Sequence, residues 1–307
     1  MDVLRIGVIG MSEGNAHPSS WSAIINGVFD GDKISNMGYP AVADYLEANK
    51  ATLGLPHAKV THVWSQSREV SELIASTAGI DHVANDPAEM ISHVDAVLLC
   101  RDDPEHHVSM AKPFIDAGIP VFIDKPLCNN QKDLDYFSHA TAGGKFIMSC
   151  SSMRYASECM AVKSALRALG KMELVTATGK KDWMKYGIHM LEGIVAVLDD
   201  PRPVSVRNIG TREKNIVQIM YENGVQVMLH LFMDIAPTMQ LSFFGQEQWR
   251  TIEIKNSYAM FRDNIIEFIR SVQEGKPRID FSKTQQIIKV MIGAEESLLA
   301  GGKLVNL

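Results

Sequence analysis

Lys125 ends the run Phe122-Ile123-Asp124-Lys125-Pro126, an apolar stretch of strand character closed by an acid, an ammonium and a proline. A lysine delivered to the carboxyl edge of a parallel sheet can lose solvation and act as a proton donor or acceptor, although the same position suits an ordinary surface lysine. His189, in Trp183-Met184-Lys185-Tyr186-Gly187-Ile188-His189-Met190-Leu191-Glu192, falls in the first turn or two of an amphipathic helix. There an imidazole can orient a substrate oxygen or share its proton, or simply be structural. Gly10-Met11-Ser12-Glu13-Gly14-Asn15-Ala16-His17 follows the first apolar run. A dinucleotide pyrophosphate needs glycines here, for a tight turn and for close approach to a helix N-terminus. Gly10 is in place, Ser12 and Asn15 take the other two glycine positions of G-x-G-x-x-G, Gly14 comes one residue early, and Glu13 adds negative charge. A plain strand-to-helix turn fits these residues equally well.

Trp64-Ser65-Gln66-Ser67-Arg68 closes the second apolar run without the carboxylate that receives ribose hydroxyls in NAD enzymes. Ser65 and Arg68 therefore lean toward the 2′-phosphate of NADP. Arg101-Asp102-Asp103-Pro104-Glu105-His106-His107 contains metal-ligand types. Acids and a proline suit a helix start, however, and adjacent histidines diverge, so no metal is expected.

These groups need a scaffold. Val3–Ile9, Lys59–Trp64, Val94–Cys100, Pro120–Ile123 and Lys145–Ser149 read as strands, and Glu69–Ala78 and His106–Ala117 as intervening helices. That alternation predicts a doubly wound parallel sheet with ligands at the carboxyl ends of its strands. Residues 30–58 form a long connection with its own helix over Ala41–Thr52, placed where it could cover a ligand or merely elaborate the surface. Beyond residue 170 the pattern becomes strands at Met172–Thr178, Val204–Ile209, Asn215–Tyr221, Val225–Phe232, Met239–Phe244 and Arg250–Ile254. Asn223-Gly224 marks a tight hairpin. Helices are predicted over Met153–Ala168, Gly187–Leu198, Tyr258–Glu274 and Lys283–Ala300. The whole is an α/β chain: a Rossmann domain, residues 1–125, and an α+β domain with a large open, mostly antiparallel sheet, residues 126–307.

Composition bounds the chemistry. The 307 residues carry 30 Lys and Arg against 36 Asp and Glu, a net charge of −6, which offers no pull toward nucleic acid or anionic membrane. The four cysteines, Cys100, Cys128, Cys150 and Cys159, contain no C-x-x-C, and no secretion signal or membrane span is visible, so a reducing cytoplasm is the expected location.

Taken in order, Gly7 to Gly10, His107, Asp124-Lys125-Pro126, Arg154-Tyr155 and Gly187-Ile188-His189 resemble the glucose-fructose oxidoreductase, inositol dehydrogenase and MocA (Gfo/Idh/MocA) family over nearly the whole chain. The resemblance implies a nicotinamide cofactor, NADP or NAD, and hydride transfer at a carbinol or carbonyl carbon of a sugar, sugar acid or inositol-like polyol. It implies catalytic roles for Lys125 and His189, two residues that would meet between the domains. Cofactor contacts are expected from Gly10, Met11, Ser12, Gly14, Asn15, Ser65, Arg68, Arg101, His107, Asp124 and Lys125, and substrate contacts from Arg154, Tyr155, Lys185 and Tyr186. Lys185 stands where a carboxylate is frequent in the family, which favours an anionic substrate. Two alternatives remain open. One is a lyase or glycoside-cleaving enzyme that uses transient oxidation on a tightly held cofactor, and the other is a non-catalytic sensor or scaffold. The apolar strands from Val204 to Ile254 predict a homodimer or homotetramer.

Overall fold

The computed structural model describes residues 3–307, which fold into two compact units. The first comprises the chain up to Leu127 together with Asp135–Ser149 and Phe261–Phe281; the second comprises Cys128–Leu134, Cys150–Met260 and Ser282–Leu307.

The first unit is built on β1 (Leu4–Ile9), β2 (Ala58–Trp64), β3 (His82–Val83), β4 (Ala96–Leu99), β5 (Val121–Ile123) and β6 (Ile147–Met148). All pairings are parallel and the order is β3-β2-β1-β4-β5-β6, the doubly wound Rossmann arrangement. The continuous apolar run of β4 is buried on both faces, as a sheet covered on both sides requires. The helices are α1 (His17–Asn26), α2 (Gly31–Asn36), α3 (Pro40–Ala48), α4 (Arg68–Ala78) and α5 (His107–Asp116). A sixth, α6 (Gln131–Ala142), runs from one unit into the other. Ser67 caps α4 by accepting the Val70 N–H, and Gly79 ends it in the left-handed conformation.

The long connection forms α2 and α3, burying Ile34 and Leu46. Its return leg runs against the end of α1, where the Gly54 and Leu55 amides donate to the Ile24 and Ile25 carbonyls, both at 2.9 Å. A Cβ at Gly27 would lie 3.0 Å from the Gly54 Cα, so this approach depends on glycine. Every residue of α1 from Pro18 to Ile25 is buried, including three serines.

In the second unit, α7 (Ser157–Ser164), α8 (Leu166–Leu169), α9 (Trp183–Val197) and α11 (Phe281–Leu299) accompany a second sheet, and α10 (Ser257–Glu274) lies mostly in the first unit. Its strands are β7 (Met172–Lys180), β8 (Pro203–Asn208), β9 (Lys214–Tyr221), β10 (Gln226–Phe232), β11 (Met239–Gly245), β12 (Trp249–Glu253) and β13 (Val305–Asn306). The order is β12-β11-β7-β10-β9-β8-β13, antiparallel except for the parallel β10–β7 pair. Strict alternation buries Val217, Ile219, Val227, Leu229 and Leu231 and leaves Ile216, Met220, Met228 and Phe232 half-exposed on the opposite face.

The stretch expected as one helix from Met153 to Ala168 is broken. A tight turn over Ser152–Tyr155 precedes α7, and Ala156 between them is extended at φ −57° and ψ 127°. The cause is Arg154, whose buried ion pairs are made from that turn. The edge strand β3 is two residues long, too short to leave a periodic signal.

Candidate active site

The carboxyl ends of β1, β4 and β5 bring together the first loop, the Arg101–Asp103 segment and Asp124-Lys125. Asp124 is 1 % exposed, and its carboxylate accepts from Asn15 Nδ2 at 3.0 Å, His17 Nδ1 at 2.6 Å and the Lys125 amide at 2.8 Å. Burial works against ionisation, but the His17 and Lys125 charges and these hydrogen bonds outweigh it and hold the group well below the usual carboxylate range. His17 is itself fixed by stacking on Trp21, centroids 4.4 Å apart, with Phe261 edge-on at 5.1 Å. Lys125 is 7 % exposed, with its Nζ 3.9 Å from Asp102 Oδ2. The Ser12 hydroxyl donates to Asp102 Oδ1 at 2.5 Å and accepts the Asp102 N–H at 3.0 Å.

The first loop fits a dinucleotide with altered donors. A Cβ at Gly14 would meet nothing within 4 Å, and its φ of +78° favours glycine, so the backbone is open to a ligand there. The start of α1 offers less than usual, because the His17 N–H already donates to Asn15 Oδ1 at 2.9 Å and Pro18 has no N–H. The Gly14 N–H lies in hydrogen-bonding reach of the Tyr39 hydroxyl, carried by the long connection. Burial and the neighbouring Asp102 push that phenol up. Gly10 serves packing, since a Cβ there would sit 2.3 Å from the Pro18 ring.

Several residues expected at the cofactor are committed within the fold. Arg101, 6 % exposed, pairs with Asp103 and donates to Gln66 Oε1 at 2.8 Å and the Met11 carbonyl at 3.2 Å. The Gln66 amide reaches the same carbonyl at 2.8 Å. His107 is fully buried, its ring nitrogens 3.0 and 3.1 Å from the Leu127 and Arg101 carbonyls, and burial holds it below its ordinary value. It therefore sets the strand ends. The Ser65 hydroxyl, near-buried, donates to the Ser67 carbonyl at 2.7 Å and shares a hydrogen bond with Ser71 at 2.8 Å. Arg68 pairs with Glu72 and donates to Asn85 at 2.7 Å.

In the second unit, Asp182 caps α9 by accepting the Lys185 N–H, which places His189 two turns into the helix. Its Nδ1 lies 2.6 Å from the Ser151 hydroxyl, and the Tyr186 ring meets its ring edge-to-face at 5.2 Å. The Lys181 ammonium sits 4.5 Å over the Tyr186 ring, and Lys185 is exposed. Arg154 differs from expectation. Its guanidinium bonds Glu192 at 2.6 Å and both Asp200 oxygens at 2.8 and 3.1 Å, leaving it committed to the fold rather than to a ligand. Lys283 completes the cluster 2.9 Å from Asp200. Tyr155 ends the turn that carries Arg154 and is half-buried. Ser151, which holds His189, drew no attention in the sequence. Nor did Asp102, His17 or Tyr39 as site residues, since their partners lie far along the chain.

Residues 34–147 match the Gfo/Idh/MocA model, described as an oxidoreductase family with an NAD-binding Rossmann fold. This segment of the first unit is similar to the Gfo/Idh/MocA oxidoreductases. The match begins after the first loop, the part of this Rossmann fold with the most altered donors. A UDP-kanosamine synthase oxidoreductase subunit of Amycolatopsis mediterranei is 30 % identical over 69 residues, 22 % of this chain, and the match spans about a fifth (19 %) of that protein. Among solved structures, myo-inositol 2-dehydrogenase from Lactobacillus plantarum superimposes with a TM-score of 0.78 at 16 % identity, over 100 % of both chains. Scyllo-inositol dehydrogenase from Lactobacillus casei, with bound NAD(H) and scyllo-inositol, gives 0.75 at 14 % identity over 99 % of each. The fold of these dehydrogenases thus extends through both sheets. No helix among the described residues is long and apolar enough to cross a membrane.

Proposed function

We propose that the protein is an NAD(P)-dependent dehydrogenase or reductase acting at a carbinol or carbonyl carbon of a sugar, sugar acid or inositol-like polyol. The observation that carries this reading is the near-buried Lys125 ammonium at the carboxyl edge of a Gfo/Idh/MocA Rossmann sheet, with a carboxylate only 3.9 Å away. A bound nicotinamide supplies or accepts the hydride. Lys125 donates or removes the proton of the reacting oxygen, and Asp124 keeps that strand end fixed through His17 and Asn15. On the second unit, His189, oriented by Ser151 and with Tyr186 beside it, recognises substrate hydroxyls together with Tyr155, and Lys185 favours an anionic substrate. The open backbone at Gly14 is the first loop's approach for a pyrophosphate, while the Ser12 hydroxyl is spent on Asp102. Lack of a carboxylate at the end of β2 favours NADP. The half-exposed face of the second sheet, with Ile216, Met220, Met228 and Phe232, suits assembly into a homodimer or homotetramer.

The test is a thermal-shift titration with NAD and NADP, followed by cofactor absorbance with a panel of polyols, sugars and sugar acids. A dinucleotide at about 100 times its Kd should stabilise the fold by about 2.7 kcal/mol. Stoichiometric cofactor turnover on a panel member supports the reading. Absence of any dinucleotide effect on stability would overturn it.

A further inference from the structure

Ser12 stands at a glycine position of the dinucleotide loop, yet its side chain points away from a purely permissive role. It holds Asp102 at two points, donating to Oδ1 at 2.5 Å and accepting the backbone N–H at 3.0 Å across 90 residues of sequence. That latch leaves Oδ2 facing Lys125 Nζ at 3.9 Å. The other nearby carboxylate, Asp124, is turned onto His17 and Asn15 and so is engaged elsewhere. Ser12 and Lys125 are each 7 % exposed, which keeps water from substituting freely for either partner.

We propose that Asp102 is a positioning residue for Lys125, fixed by the Ser12 hydroxyl of the first loop. The inference rests on the reading of Lys125 given above. A free carboxylate would rotate away from the ammonium or draw it out of line. A latched one holds Nζ at one place while leaving its hydrogens available to a reacting oxygen, because 3.9 Å is longer than a hydrogen bond. A serine at this position of the loop therefore serves the reacting edge of the sheet.

The experiment needs neither cofactor nor substrate. Wild type, Asp102→Asn, Ser12→Ala and Ser12→Thr are treated with a limiting amine-selective acylating reagent at one mildly alkaline pH. Labelling of Lys125 is then read by peptide mass spectrometry against surface lysines. Lys125 should label several-fold faster in Asp102→Asn and in Ser12→Ala, whereas Ser12→Thr, which keeps the hydroxyl, should match wild type. In turnover, Asp102→Asn should lower kcat while substrate KM and dinucleotide Kd stay within about twofold. Wild-type labelling of Lys125 in both Asp102→Asn and Ser12→Ala would overturn the proposal. If Asp102→Asn unfolds, revealed by faster labelling of every lysine, Ser12→Ala alone decides. A wild type that turns over no polyol would remove the proposed function, and the labelling result would still stand.

Discussion

Lys125 and Arg154 are buried to the same degree, each 7 % exposed, yet their surroundings differ. Arg154 is tightly paired, with Glu192 and two Asp200 oxygens at 2.6 to 3.1 Å and Lys283 balancing the second acid. Burial lowers its proton affinity, but the two carboxylates outweigh this and hold it above the ordinary arginine value. Lys125 has its nearest ion-pair partner at 3.9 Å. A cation locked into two buried ion pairs fixes the fold. One kept dry with donors to spare is equipped for chemistry.

The larger loss is expected at the Arg154 cluster. Arg154→Ala strands Glu192 and Asp200 in the interior and should lower stability by about 3–5 kcal/mol, read by denaturant unfolding. An intact fold with a raised substrate KM would instead return Arg154 to the ligand contacts. Gly10→Ala sharpens the Lys125 end. Its Cβ would meet the Pro18 ring at 2.3 Å, so the packing of β1 against α1 must shift, at about 1–3 kcal/mol of stability. A smaller loss would show that the loop, and with it Ser12, yields easily.

The smallest effect lies away from both cations. His62 stacks on His82 at 4.7 Å and His93 at 5.5 Å, and burial followed by these two neighbours holds it below its ordinary value. The folded state therefore resists a proton that the unfolded chain takes up. Stability should fall as pH drops below about 6.5, by under about 1 kcal/mol because the half-buried ring is still screened by solvent. His82→Asn should flatten that slope in Tm against pH, and an unchanged slope would exclude the stack as its source.

What the sequence disclosed follows from distance along the chain. Lys125 was legible because β5 is a short apolar run ending on it, and the alternation of strands and helices disclosed the Rossmann sheet. The Ser12–Asp102 latch joins residues 90 apart and the Arg154 pairs span 38 and 46, so no local pattern announces them. The same long-range pairing explains why the expected helix over Met153–Ala168 breaks at Ala156. Tyr39 escaped notice because it reaches the loop only through the fold of the connection that carries it. Arg68 and Ser65 show the converse: residues of the right type at the right strand end whose polar atoms already have partners nearby.

The most direct test of the account is Lys125→Ala, measured for both dinucleotide binding and turnover on a substrate that the parent protein uses. The kcat should fall by about 100-fold or more, the scale for losing a positioned proton donor, with dinucleotide affinity little changed. Turnover close to the parent's would contradict it and remove Lys125 from the chemistry.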